Sequence, residues 1–296
     1  MGIPSAEHKK PNVLVTGANG QLGKELRQLE KAWPQFNFLF LSREDLPIHH
    51  FELVRHYFEA VHPDYLINCA AYTAVDKAES EKELAYQINA EAVGVLAAVC
   101  HQHNCRFIHI STDYVFDGSA TSPYSEDHPC SPQSVYGASK CEGEKLAQQF
   151  NPDSIIIRTS WVYSSFGKNF VKTILRLLQE KPSLSVVNDQ FGSPTYAADL
   201  AEAILSIISA KNWKPGIYNY SNSGQISWYD FAVAIAELQR SVVPITGIST
   251  DQYPTPARRP AFSVLDKTKI AQTYSVPIKD WRESLARCLS FCTFSS

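Results

Sequence analysis

A short apolar strand that runs straight into a glycine-spaced turn constrains this chain more than any other feature. Residues 12–16, Asn-Val-Leu-Val-Thr, lead into Gly17-Ala18-Asn19-Gly20-Gln21-Leu22-Gly23. The glycines fall in a G-x-x-G-x-x-G pattern, and a helix is expected to follow over 21–31. Gly17 permits a tight turn, Gly20 lets backbone N–H groups approach a pyrophosphate, and Gly23 lets the helix pack on the sheet. The start of that helix offers unpaired N–H donors to an anion. Glycine spacing alone also occurs in ordinary turns. Its setting between strand and helix makes Gly17, Asn19, Gly20, Gln21 and Leu22 candidates for holding a dinucleotide.

The same rhythm continues. Strands are expected at 38–41, 65–69, 107–110 and 154–158, and helices at 51–61, 85–102 and 139–150. Near-continuous apolar strands, each followed by a helix, mark a parallel sheet covered on both faces. The expected fold class is therefore α/β, a doubly wound, Rossmann-like parallel sheet. After Trp161 the pattern changes. Helices are expected at 170–180, 199–210, 227–240 and 280–291, and strands at 184–187 and 216–220. The proline-bearing stretch 243–260 reads as loop or edge strand. A chain of 296 residues exceeds what one core supports. The division expected is a flexible tail over 1–10 and a dinucleotide-binding domain over 11–165, with 184–210 added to it. A smaller interleaved substrate-binding lobe takes 166–183 and 211–296.

Charge and cysteines narrow the function. Lys plus Arg number 27 and Asp plus Glu 30, a net charge of -3. That balance excludes a general electrostatic grip on nucleic acid, while leaving room for a local basic pocket. No stretch reaches the roughly 18 apolar residues of a membrane span, and residues 1–11 lack the apolar core of a signal peptide. The seven cysteines are odd in number and form no C-x-x-C pair. Neither a disulfide framework nor a zinc knuckle is indicated, and reduced thiols in a cytoplasm are expected. No metal site is expected.

The second strand ends in Ser42-Arg43-Glu44. An NAD site usually carries an acid there for the ribose 2′-hydroxyl, whereas an arginine fork suits a 2′-phosphate. Ser42 and Arg43 therefore favour NADPH, although Glu44 or Asp45 would still serve NADH. Farther on, Tyr136-Gly137-Ala138-Ser139-Lys140 sets a phenol and an ammonium four residues apart, on one face of a helix. A nearby ammonium lowers a phenol's pKa from about 10. The pair recurs on many helices by chance. It gains weight because Ser111-Thr112-Asp113 ends the fourth strand, bringing Thr112 to the sheet edge where ligands bind. Thr112, Tyr136 and Lys140 are the catalytic candidates, and Tyr136 and Lys140 would also border the cofactor.

With these residues the chain resembles the extended short-chain dehydrogenases, and within them the dTDP-4-dehydrorhamnose reductase family. The resemblance covers nearly the whole chain beyond the tail. It runs through Asn68-Cys69-Ala70-Ala71-Tyr72-Thr73-Ala74-Val75-Asp76-Lys77-Ala78-Glu79 and Ser111-Thr112-Asp113-Tyr114-Val115-Phe116-Asp117-Gly118. It continues through Val135 to Lys140, Arg158-Thr159-Ser160-Trp161-Val162-Tyr163, Asp189-Gln190-Phe191-Gly192-Ser193-Pro194-Thr195, Arg258-Arg259-Pro260 and Asp280-Trp281. The glycines and the tyrosine–lysine pair mark the superfamily; the stretches Thr73 to Glu79 and Ser111 to Gly118 are more specific.

The resemblance implies reduction of the C4 ketone of dTDP-6-deoxy-L-lyxo-4-hexulose to dTDP-L-rhamnose. Tyr136 would donate the proton, Lys140 would lower its pKa and hold the nicotinamide ribose, and Thr112 would hydrogen-bond the carbonyl oxygen. Ala70, Ala71 and Thr73 would flank the cofactor. Val75, Thr112, Asp113, Tyr114, Trp161 and Asn169 would meet the nucleotide sugar, although Trp161 alone reads equally as core and Asn169 as a helix cap. Asn89 would support a water chain to Lys140. Arg258 and Arg259 stand between a diphosphate clamp and plain exposure. Some relatives dimerise around Mg²⁺ held by three acids. Glu25 and Asp199 match two of these, but the third position, near Phe291, is not acidic, so both monomer and homodimer stay open. An epimerase or dehydratase of the same fold is an alternative, with Tyr114 arguing against the dehydratase. A non-catalytic NADP-binding regulatory subunit is another.

Overall fold

A computed structural model describes residues 10–292, so the tail expected over 1–10 lies outside the described residues except for Lys10. The first half runs β1 (Asn12–Thr16), α1 (Gln21–Leu29), β2 (Asn37–Leu41), α2 (Phe51–Val61), β3 (Tyr65–Asn68), α3 (Val75–Ala78), α4 (Lys82–Tyr86), α5 (Ala92–Gln102), β4 (Arg106–Thr112), α6 (Val135–Phe150) and β5 (Ile155–Thr159). The second half runs β6 (Val162–Tyr163), α7 (Phe170–Glu180), β7 (Leu184–Val187), β8 (Phe191–Gly192), β9 (Thr195–Tyr196), α8 (Ala197–Ser209), β10 (Gly216–Asn219), β11 (Ile226–Ser227), α9 (Trp228–Leu238), β12 (Ile245–Ile248), α10 (Thr268–Tyr274) and α11 (Trp281–Ser290).

Six strands form the central sheet in the order β10-β5-β4-β3-β1-β2, and every pairing is parallel. Alternate residues on each strand serve opposite faces. Val13, Val15, Ile67, Ile108, Ile155 and Ile157 meet Leu22 and Leu26 of α1 and Leu200 and Ile204 of α8. Leu14, Leu66, Phe107 and Ile156 meet Val54 and Phe58 of α2 and Val93 and Leu96 of α5. From β1 the strand order departs in both directions, to β2 on one side and β3 on the other. The crevice outside the carboxyl ends of β1 and β3 is the switch point at which sheets of this kind bind ligands.

A second core joins Val171, Ile174 and Leu175 of α7, Leu184 of β7, Phe231 and Ile235 of α9, and Leu285 and Cys288 of α11. Ser227 caps α9 in a capping box with Asp230, the start the sequence predicts. Asp280 caps α11 by accepting from the N–H groups of Arg282 and Glu283.

Several expectations need correction. Strand 184–187 does not join the central sheet. It pairs with β12, a strand inside the proline-bearing stretch, so it belongs to the second core. Strand 216–219 instead forms the sixth central strand beside β5. The helix expected from 139 starts at Val135, because Ser134 Oγ accepts from the Gly137 N–H at 3.1 Å and caps it there. The single helix expected over 85–102 is interrupted by a π-turn at Gln87–Glu91, a feature that tends to mark functional sites. Among the described residues no helix is long and apolar enough to cross a membrane.

Candidate active site

The glycine turn is built for a close approach. Gly17 adopts φ +66°, and a Cβ there would lie 2.6 Å from Ala70 N and 2.7 Å from the Cys69 carbonyl carbon. The loops after β1 and β3 thus touch, and only glycine fits. A Cβ on Gly23 would lie 2.6 Å from Ala18 Cα, which seats α1 on the turn. Gly20 precedes α1 in an extended conformation. The helix has no side-chain cap and no acid in its first turn. Its first N–H groups therefore stay free for an anion, and the cradle fits a dinucleotide pyrophosphate. Asn19 and Gly20 are exposed beside it, while the Leu22 side chain is core, leaving its backbone as the contact group. Gln21 Oε1 accepts from Asn169 Nδ2 at 2.8 Å, so the turn before α7 lies over the cradle.

At the tip of β2, Ser42 is buried and its Oγ accepts from the N–H groups of Glu44 and Asp45. Asp45 in turn accepts from the Ser42 N–H at 2.9 Å. This turn engages Asp45 and leaves the Arg43 side chain exposed. Ala70 donates its N–H to Asn68 Oδ1 at 3.2 Å, Ala71 is half-buried and Thr73 exposed at the next strand end. Val75 opens α3. Beside it Arg259 grips Asp76 in a two-pronged pair of 2.9 and 2.8 Å, tying the proline-bearing loop to this edge, while Arg258 stays exposed.

The end of β4 and the start of α6 bring Thr112 and Tyr136 together. Burial pushes the Tyr136 phenol up to about 12, and the neighbouring Thr112 hydroxyl pulls it back. Thr112 Oγ1 also donates to Asp113 Oδ1 at 3.0 Å and accepts from the Tyr114 N–H at 3.2 Å. The Tyr114 ring meets Tyr136 edge-on with centroids 5.6 Å apart. Asp113 is buried, its Oδ2 has no hydrogen-bond partner, and burial raises its carboxyl to about 6.

Lys140 departs from expectation. It is buried, donates to the Ile110 carbonyl at 2.6 Å and meets His109 Nε2 at 3.1 Å. Lys140 therefore does not lower the Tyr136 phenol here, which stands above rather than below its ordinary range. Asn89 departs too. Its side chain accepts from the Tyr72 N–H and donates to the Tyr72 carbonyl and Ser139 Oγ, pinning the loop after β3. Asn169 takes the capping role. Its Oδ1 accepts from the Lys172 N–H at 3.0 Å, and its Nδ2 donates to Gln21, Ser164 and Phe166. Trp161, at φ +48°, stacks on Trp228, a residue the sequence reading passed over. Glu25 accepts from Ser164 Oγ, and Asp199 pairs with Lys279 and Arg287. Among the described residues no group of three His, Cys, Asp or Glu could hold a metal.

A cradle for a dinucleotide at a switch point, with a hydroxyl and a phenol converging at the same sheet edge, defines an extended short-chain dehydrogenase/reductase. The comparisons narrow that class. Residues 11–293 match the family described as RmlD substrate binding domain. A dTDP-4-dehydrorhamnose reductase of Aggregatibacter actinomycetemcomitans is 42% identical over 92% of this chain and 96% of its own. The spore coat polysaccharide biosynthesis protein SpsK of Bacillus subtilis is 45% identical over 94% and 96%. The crystal structure of a dTDP-4-dehydrorhamnose reductase from Bacillus anthracis in complex with NADP superposes with a TM-score of 0.92, at 37% identity over 95% of this chain and 99% of that one. The chain belongs to the dTDP-4-dehydrorhamnose reductase family.

Proposed function

We propose that this protein reduces the 4-keto group of dTDP-6-deoxy-L-lyxo-4-hexulose to give dTDP-L-rhamnose, with NADPH as the preferred cofactor and NADH as the weaker one. One juxtaposition carries the reading. The Thr112 hydroxyl and the Tyr136 phenol meet at the end of β4, on the edge where the glycine cradle opens.

NADPH, when bound, supplies the hydride. Tyr136 is a neutral phenol at physiological pH, since burial holds it near 12, and it is thus armed to give its proton to the developing C4 alkoxide. The Thr112 hydroxyl, which donates to Asp113 in the free protein, turns to donate a hydrogen bond to the same oxygen and orients it. Lys140 holds the nicotinamide ribose and supports the phenolate left on Tyr136 after proton transfer. Gly17, Asn19, Gly20, Gln21 and Leu22 bind the pyrophosphate, Ser42 and Arg43 the adenosine 2′-phosphate, and Ala70, Ala71 and Thr73 flank the cofactor. Val75, Asp113, Tyr114 and Trp161 contact the nucleotide sugar, with Asn169 shaping the same edge from the α7 cap. The unpartnered Asp113 Oδ2 is available to a sugar hydroxyl. The protein works in the cytoplasm as a monomer or homodimer and needs no metal for this chemistry. The test is to mix it with NADPH and freshly prepared keto sugar. One NADPH should disappear for each dTDP-L-rhamnose formed, and no consumption would reject the proposal.

A further inference from the structure

His109 lies on β4, fully buried, three residues before Thr112. Its ring is held from both sides. Asn68 Nδ2 meets Nδ1 at 3.0 Å, and Lys140 Nζ meets Nε2 at 3.1 Å. The direction of each bond follows from the groups outside the pair. Asn68 Oδ1 accepts from the Thr16 hydroxyl at 2.7 Å and from the backbone N–H of Ala70 at 3.2 Å. A backbone N–H can only donate, so the Asn68 amide cannot be turned round. Its Nδ2 therefore donates, and His109 Nδ1 is the ring's bare acceptor. An imidazolium would set an N–H against that amide, so the ring is neutral and carries its proton on Nε2. The Nε2–H then faces Lys140. An ammonium has no lone pair to receive it. A neutral amine does, and it still has N–H groups to give, one of which reaches the Ile110 carbonyl at 2.6 Å.

We propose that His109 is a positioning residue for Lys140: with its tautomer set by Asn68, it docks the lysine as a neutral amine on β4, and the lysine leaves this dock by taking up a proton. The proposal rests on the reading that Lys140 serves the cofactor.

The surroundings agree. Burial lowers Lys140 to about 8 and holds His109 well below its ordinary range. Glu144, one turn farther along α6, favours the ammonium, but it is bonded to Arg158 of β5 at 2.7 Å. From β3 the facing group is the uncharged Asn68, and burial holds the neighbouring Cys69 thiol protonated. Asn89 of the π-turn is spent on Tyr72 and Ser139, and Tyr136 is a neutral phenol.

Release of the lysine and its protonation are then one event. Above about pH 8, where the free protein holds the neutral amine, recruiting Lys140 to the cofactor takes up one proton. The affinity for NADPH should accordingly fall about tenfold for each pH unit in that range.

The test starts from the free protein with ¹⁵N-labelled histidine, His109 being assigned through its backbone. The expected result is a neutral ring protonated at Nε2 between about pH 6 and 9. An Nδ1-protonated ring, or a ring that titrates in that range, overturns the proposal. The second arm is His109→Gln with ¹³C-labelled lysine, because the glutamine carbonyl can accept from an ammonium. Lys140 should then titrate about one pH unit higher or more, and an unshifted titration overturns the proposal as well. Neither arm uses turnover. A protein without reductase activity would sink the functional reading and leave the histidine result standing.

Discussion

The indole of Trp161 lies face to face on that of Trp228, with ring centroids 3.5 Å apart and planes 9° from parallel. Phe170 packs against Trp228 at 4.6 Å, and a Cβ on Gly192 would come within 2.6 Å of the Trp161 ring. The ring is thus braced by Trp228 and by the Gly192 backbone, and in the proposed pocket it would be a fixed wall rather than a free platform. Its left-handed backbone, unusual for a bulky residue, is held by the same packing. Trp228→Ala should remove the brace and raise the KM for the nucleotide sugar about tenfold, roughly 1.4 kcal/mol, with NADPH affinity unchanged. Trp161→Ala should do the same and also cost about 3–5 kcal/mol of stability. Ligand titration and thermal melting on both variants check this. Unchanged sugar affinity in both would take the pair out of the pocket.

Arg43 stands exposed next to a turn in which Asp45 is already bonded to Ser42. Arg43→Ala should weaken NADPH by on the order of 1.5–3 kcal/mol, the worth of a charge-assisted contact, and leave NADH nearly untouched. Fluorescence titration of both cofactors reads the difference. Equal losses would mean that Arg43 does not recognise the 2′-phosphate.

Asp113 carries a pH signature. Burial raises its carboxyl from 3.8 to about 6, so the folded state holds that proton more tightly than the unfolded chain does. The resulting stabilisation is complete below pH 3.8 and is lost as pH rises through about 6. Asp113→Asn should flatten the decline of stability across this window. Urea unfolding at a series of pH values measures the slope, and an identical slope in the variant would contradict the assignment.

Much of the scaffold was legible from local pattern. Strand-to-helix alternation up to residue 159 and the helix starts at Ser227 and Asp280 are short-range signals, and the structure carries them. Which sheet a strand joins is not a local property. Nothing within 184–187 names β12 as its partner, and nothing within 216–219 names β5. The start of α6 was obscured by Gly137, a poor helix former. That glycine is required because a Cβ there would meet the Tyr114 carbonyl oxygen at 2.1 Å. Within the site, Thr112 and Tyr136 could be read from strand end and helix spacing. The Trp161–Trp228 stack could not, since its members are far apart in the chain. Nor could the docking of Lys140 on His109, which depends on how Asn68 and Thr16 orient an amide. A histidine inside an otherwise apolar strand was the one available hint.

Tyr136→Phe removes the proton that the account gives to the alkoxide, while leaving the ring against Tyr114. It should lower kcat by roughly 10²–10⁴-fold, the share of a positioned acid. NADPH binding should persist. Rapid-mixing assays on the variant check both, and near-normal turnover would remove the phenol from the mechanism.

The central claim is hydride delivery to C4 of the keto sugar. The direct measurement uses NADPH deuterated at both C4 positions, the freshly made dTDP-keto sugar and NMR of the sugar product. The account predicts one deuterium per product molecule, at C4 of dTDP-L-rhamnose, with stoichiometric loss of NADPH. A product labelled elsewhere on the ring, or an altered sugar formed without NADPH being consumed, would contradict it.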